Sequence, residues 1–222
     1  MNNGLKVAYR SFFDMYTNLG AVLFFSIISI IGSLPIITIG PMVAALFYVM
    51  KLKLAGKNIG FKDFKFGLIK YGKKSSLIFV IYLFVMVPGV FYMITVSAMN
   101  STTGQIVAIA IFSILLLWNL LNFYLYPLLV EQLDSDIGTL YLRSYRLIVE
   151  NAIFTLVIIF NLLVFTVISI LLPILLFVWA GWSVITIYNG LCYLLSKYDA
   201  KNYQFDLDVS WRGAWNCWSE VK

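Results

Sequence analysis

The chain has 222 residues, 62% of them hydrophobic and 12% charged, with a mean hydropathy of +0.92 and a formal net charge of +6. A soluble domain carries about 25% charge, so there is too little polar surface here to cover a water-soluble globule. The composition predicts one all-α, polytopic membrane domain. It also assigns the surplus of Lys and Arg to cytoplasmic loops and not to nucleic-acid binding.

In chain order, Lys6 and Arg10 precede an apolar run, as in a signal sequence. The run continues into a second apolar segment without a small-residue cleavage site, so it reads as an uncleaved first span. The charges fall into four clusters. The first is Lys6, Arg10 and Asp14. The second holds Lys51, Lys53, Lys57, Lys62, Lys65, Lys70, Lys73 and Lys74 against Asp63. The third runs from Glu131 to Glu150, and the last from Lys197 to Lys222. Each stretch between clusters exceeds the roughly 20 residues of one crossing and can hold two. An even number of crossings puts every Lys and Arg on one face.

The prediction is therefore a bundle of about six transmembrane helices in three hairpins. They cover residues 18–34, 39–55, 76–97, 105–128, 152–172 and 174–195. The protein is expected in the cell membrane, multi-pass, with both termini cytoplasmic. Residues 1–200 form the membrane domain and 201–222 a cytoplasmic Trp-rich tail. The stretch Ser33–Pro41 (SLPIITIGP) is expected to be the outer turn of the first hairpin. Pro35 cannot continue a helix, and Pro41 suits the first turn of the next, with Thr38 or Gly40 near its cap. The first span is short. Either it extends back through Phe12 and Phe13, or the Pro35 turn dips into the membrane.

The second and third outer turns are placed at 99–104 (MNSTTG) and at Pro173. Short amphipathic segments precede each hairpin, at 10–18, 61–74 and 137–151, as interfacial helices would. In the last, Ile137, Leu140, Tyr141, Tyr145 and Ile148 are expected on one face. The pattern suggests three related helix-plus-hairpin units, with Pro35, Pro88 and Pro173 in or near the ends of odd-numbered spans.

No Asp, Glu, Lys, Arg or His is expected within a span. That argues against a proton relay or an intramembrane hydrolase. Neutral candidates for lining a cavity are Asn119, Asn122, Asn161 and Asn189, with Trp118, Tyr124 and Trp182. The same residues serve equally as interhelical hydrogen-bond partners. The lysine-rich loop 51–74 could attract anionic lipid. Glu131, Asp134 and Asp136 form the only acidic cluster, expected to be a solvated helix start favoured by the helix dipole. In the tail, Trp211, Trp215 and Trp218 would share one helical face, as an interfacial anchor or a partner-docking surface.

Neither a phosphate-binding GxxxxGK[ST] loop nor a permease coupling segment is present, since Glu131 and Gly138 are too close together. Cys192 and Cys217 form no CxxC pair, and no histidine occurs, so no disulfide framework, metal site or cofactor is expected. There is no nucleophile–base constellation, and an enzyme is not expected.

The run Ser33-Leu34-Pro35-Ile36-Ile37-Thr38-Ile39-Gly40-Pro41, followed by Ala44-Ala45-Leu46 and Tyr48, resembles the signature of the YesL-like family of bacterial integral membrane proteins, classed as a domain of unknown function. Phe61-Lys62-Asp63-Phe64, Tyr126-Pro127-Leu128 and the segment leading to Asn151 also fit its layout. The second loop departs from it in being almost purely Lys. Such proteins often sit in loci for carbohydrate uptake. The resemblance thus implies a non-enzymatic accessory or assembly component of sugar transport, with sugar-transporter subunits and the lipid bilayer as partners. The residues themselves leave open a small carrier or channel for a neutral solute such as a sugar. No site residues carry over from the family.

Overall fold

The structure is a computed structural model that describes residues 3–99, 101–198 and 205. The described residues form nine α-helices and no strand. In order these are α1 (Asn3–Thr17), α2 (Leu19–Gly32), α3 (Ile39–Leu54), α4 (Phe61–Ser97), α5 (Thr102–Asn122), α6 (Leu125–Glu131), α7 (Ile137–Glu150), α8 (Ala152–Leu171) and α9 (Leu176–Tyr198). Single 3-10 turns at Ile36–Thr38 and Pro173–Leu175 precede α3 and α9. Five segments are long and apolar enough to cross a bilayer: Ile36–Leu54, Phe61–Ser97, Thr102–Glu131, Ala152–Leu171 and Pro173–Tyr198. The fold is an all-α helical bundle of the multi-pass membrane kind. Trp211, Trp215, Trp218 and nearly all of the 201–222 tail lie outside the described residues.

The expected first span does not reach full length. α2 has 14 residues, about 21 Å at 1.5 Å per residue. It cannot extend back through Phe12 and Phe13, because α1 meets it at 92°. Side chains bond the backbone at the break. Thr17 Oγ1 donates to the Phe13 and Asp14 carbonyls (3.0 and 3.2 Å), and Asn18 Nδ2 to the Asp14 carbonyl (2.9 Å). These bonds compete with the helix ladder. The amphipathic segment expected at 10–18 accordingly starts earlier, at Asn3.

Three further expectations are corrected. The segment 61–74 is not a separate interfacial helix, because α4 runs unbroken for 37 residues and passes through Pro88. The span expected at 105–128 lies within the one apolar segment Thr102–Glu131, but its helix is interrupted at Phe123–Tyr124. Pro127 has no N–H to offer the Phe123 carbonyl, so α5 stops at Asn122 and α6 starts with Pro127 in its first turn. On α7 the buried face is Leu140, Ser144 and Leu147, whereas Tyr145 is 53% exposed. The Ser144 hydroxyl turns that face inward by donating to the Leu121 carbonyl (2.6 Å).

At the first turn, Thr38 stands just before α3 but does not cap it. Its hydroxyl reaches back to the Gly32 carbonyl (2.5 Å) and the Pro35 carbonyl (2.6 Å). Pro41 lies in the first turn of α3, as expected. Gly40 is required where it stands, since a Cβ there would lie 2.6 Å from the Ser75 carbonyl oxygen.

The core sits among α2, α3, α6 and α9, around Phe25, Leu46, Met50, Leu128, Ile185 and Leu191. α1 lies across α8 and α9, and α7 braces α5 and α6. The outer half of the α4–α5 hairpin stands apart. Beyond Phe79, α4 buries only Val96, and α5 buries only Gly104, Ala108 and Leu115.

Candidate functional site: a charged cavity where four helices meet

Polar side chains from α1, α3, α6 and α9 converge at one end of the core. Lys51 Nζ lies 2.9 Å from Glu131 Oε2, and the Tyr188 hydroxyl donates to Glu131 Oε1 (2.6 Å). One turn of α1 supplies Arg10, Ser11 and Asp14. Asn189 Nδ2 donates to Asp14 Oδ2 (2.8 Å) and to Ser11 Oγ (3.1 Å). Arg10 Nε lies 3.7 Å from Asp14 Oδ2, and its guanidinium stands 4.6 Å over the Phe205 ring. A cavity of about 260 Å³ opens between Arg10, Asp14, Lys51, Tyr188, Asn189 and Cys192.

These groups are withdrawn from water. The Glu131 side chain is 7% exposed and that of Asp14 14%. Burial pushes the Asp14 carboxyl above its ordinary range, while the Asn189 hydrogen bond and the Arg10 charge act the other way. Two cations face two carboxylates, so the site is formally neutral. Buried carboxylates need such partners, because an isolated buried charge is strongly destabilising. Arg10 Nε has no hydrogen-bond acceptor and is buried. Among the described residues no group of three His, Cys, Asp or Glu side chains could hold a metal ion. What the arrangement can do is lock four helices in register and offer a charged, formally neutral lining to a small polar group.

This cluster was not legible as a site in the sequence. Glu131 was expected to be solvated, and the spans to be free of ionisable groups. Both expectations fail. Lys51 lies within the apolar segment Ile36–Leu54, and Glu131 ends the segment Thr102–Glu131. Only Asp136 behaves as a helix start should, accepting from Gly138 N (3.3 Å) at the head of α7.

The seven proposed cavity residues do not share a cavity. Asn119 accepts from the Tyr82 hydroxyl (3.0 Å) and donates to the Leu115 carbonyl (2.9 Å). Asn122 donates to the Trp118 carbonyl (2.8 Å) and accepts from the Tyr141 hydroxyl (3.4 Å), and Trp118 stacks on Tyr141. Tyr124 is fully buried against Thr155. Asn189 belongs to the charged cluster. Asn161 and Trp182 do meet, at a crevice of about 350 Å³ between α1, α8 and α9 whose rim is Leu5, Tyr9, Phe12 and Ile168. The Asn161 Oδ1 and Trp182 Nε1 atoms are buried there with no hydrogen-bond partner. A third hollow, about 250 Å³, lies beside Gln132, Arg143, Arg146, Glu150 and Tyr198.

Comparison with known families, with curated proteins and with solved structures gives no match. The likeness to the YesL-like proteins therefore rests on the residues quoted for it, chiefly 33–46.

Proposed function

We propose that this chain is a non-enzymatic accessory or assembly component of a membrane system, one associated with carbohydrate uptake. The observation that carries the reading is the dispersal of the polar candidates. Asn119, Asn122, Tyr124 and Asn189 are each taken up by bonds between helices, as structural asparagines and tyrosines are. The charges that do converge are closed into pairs, Lys51 with Glu131 and Arg10 with Asp14. The association with sugar uptake comes from the family resemblance alone.

Two surfaces suit partners on this reading. Lys62, Lys65, Lys70 and Lys73 are exposed along one half of α4, and each basic residue near an anionic leaflet contributes about 1 kcal/mol of attraction. The second is the tail, where Trp211, Trp215 and Trp218 share a face if it is helical.

The test is mild solubilisation from the native host with mass spectrometry of what remains bound. Near-stoichiometric sugar-transporter subunits, lost in Trp215→Ala while the protein stays folded, are the expected result. Recovery of the protein alone would count against the proposal. The runner-up, a carrier for a neutral solute, has one observation in its favour: the unpartnered Asn161 and Trp182 atoms at one crevice. It predicts sugar flux in liposomes of the purified protein that falls in Asn161→Leu. Asn122→Ala should leave it unchanged, because Asn122 is bonded to the Trp118 carbonyl and the Tyr141 hydroxyl.

A further inference from the structure

The turn that closes the first hairpin presents bare apolar side chains. Leu34, Ile36 and Ile37 are 78%, 63% and 81% exposed. Its level in the bilayer follows from its neighbours. α3 runs antiparallel to α4, with Gly40 backed onto Ser75 and Phe79 and the Tyr48 ring 5.5 Å from that of Tyr71. The whole of α3 thus lies beside the half of α4 that carries Lys62, Lys65, Lys70, Lys73 and Lys74. Ammonium groups stay in water or reach the headgroups. The far end of α3 is therefore level with the first apolar turn after Lys74.

The rest of α4 measures the remaining distance. From Phe79 to Ser97 it runs about 27 Å at 1.5 Å per residue, close to the roughly 30 Å of hydrocarbon. This outer half and its partner α5 expose Phe84, Phe91, Ile106 and Ile109 by 79%, 74%, 63% and 66%. It ends in a polar turn at Ser101, whose side chain accepts from Gly104 N. Were the Leu34–Thr38 turn in the outer water, this arm would stand in water too, and the lysine-bearing half would sit in hydrocarbon.

We propose that the Leu34–Thr38 turn ends inside the hydrocarbon on the lysine side, against lipid acyl chains. α2 and α3 then form a re-entrant hairpin that enters and leaves by one face. Irregular backbone is tolerated at that depth only when its polar groups are satisfied internally. In the turn the single Thr38 hydroxyl proton is shared between the Gly32 and Pro35 carbonyls, and the Thr38 N–H also donates to the Pro35 carbonyl (2.9 Å). The 14 residues of α2 are enough for such a hairpin and too few for a crossing.

The experiment uses the full chain with Cys192→Ala and Cys217→Ala, carrying one added cysteine at a time. Ser101→Cys and Asn58→Cys report the two aqueous faces. Ile36→Cys and Ile37→Cys report the turn, at side chains exposed enough that folding is not at stake. An impermeant maleimide is applied to intact cells and to inverted vesicles. The turn cysteines are expected to react at least about tenfold more slowly than the aqueous reporter on either side, as groups in hydrocarbon do. Nitroxides attached there should meet oxygen more readily than a water-soluble nickel chelate. Reaction of Ile37→Cys from outside at the rate of Ser101→Cys would overturn the proposal, and so would fast reaction from inside.

Discussion

The first and third hairpins share a plan that the middle one abandons. An amphipathic helix ends at an asparagine elbow with non-helical backbone, Asn18 or Asn151, and the next helix starts there. Asn18 Nδ2 holds the Asp14 carbonyl, and Asn151 Nδ2 the Leu147 carbonyl, four residues back in both cases. Each hairpin then closes through a proline and a 3-10 turn lined by exposed aliphatic side chains. In the middle unit the matching region holds Ser75, whose hydroxyl bonds the Tyr71 carbonyl within an unbroken helix. Its amphipathic half is collinear with its apolar half, and its far turn is polar and capped by Ser101. An asparagine stands at the junction of each unit that packs into the core, and a serine at that of the arm. The two outer units pack on each other, with the Ser26 hydroxyl accepting from the Gly181 N–H (2.8 Å). The arm packs on little but itself.

The largest expected effect comes from the charges that tie the outer units together. Glu131→Gln strands Lys51 in a mostly buried position, and breaking a buried pair in this way costs about 3–5 kcal/mol. Thermal unfolding in detergent should show it, and the double change Lys51→Met with Glu131→Leu should recover most of the loss. If the single change costs nothing, the cluster does not hold the bundle. Next comes close packing. Gly40→Val should cost about 1–3 kcal/mol or more, because it meets the Ser75 backbone. Gly89→Ala on the arm meets only the flexible Leu115 side chain and should cost less. Equal losses at the two positions would erase the contrast between core and arm.

Smaller still is the elbow. Asn151 accepts from Lys197 Nζ (2.9 Å) and donates to the Tyr198 hydroxyl (2.9 Å), so Asn151→Ala should cost about 1–2 kcal/mol. Placing asparagine in the arm's junction, as Ser75→Asn, sharpens the comparison, since a long polar side chain there must also displace α3.

The smallest effect is on pH dependence. Burial raises the Asp14 carboxyl above its ordinary value of 3.8. Its folded state binds the proton more tightly, so its contribution is full below that value and is lost as pH rises through the folded value. Asp14→Asn should flatten that part of a melting-temperature profile. Glu150 is the opposite case. The Tyr198 hydroxyl and Arg146 lower its carboxyl below 4.5, and its slight contribution is present above that value and lost as pH falls through the folded value. A profile of Asp14→Asn that rises with acidity as steeply as the wild type would show that Asp14 is not the group responsible.

The turns at 33–38, 99–104 and Pro173 were legible because proline and glycine act locally. The elbow at Asn18 was not, although Thr17 and Asn18 carry its signal, because the apolar pattern alone cannot tell a bend from a short span. The asparagines were read correctly as polar groups among helices and incorrectly as one lining. Spacing along a helix places Asn119 and Asn122 on a common side but says nothing of which helix stands opposite. Glu131 is the clearest case of a missed site residue. Its sequence neighbours Asp134 and Asp136 made it look solvated, while its partners Lys51 and Tyr188 are far away along the chain.

By itself, then, the sequence determined what solvent would accept: an all-α chain, its apolar stretches and the positions of its turns. Those follow from composition and from backbone chemistry within a few residues. Only the tertiary structure decided which charges pair, which hairpins pack on each other and how far each one reaches. Those depend on the register between helices, and register is set by contacts such as Gly40 on Ser75 that no local pattern encodes.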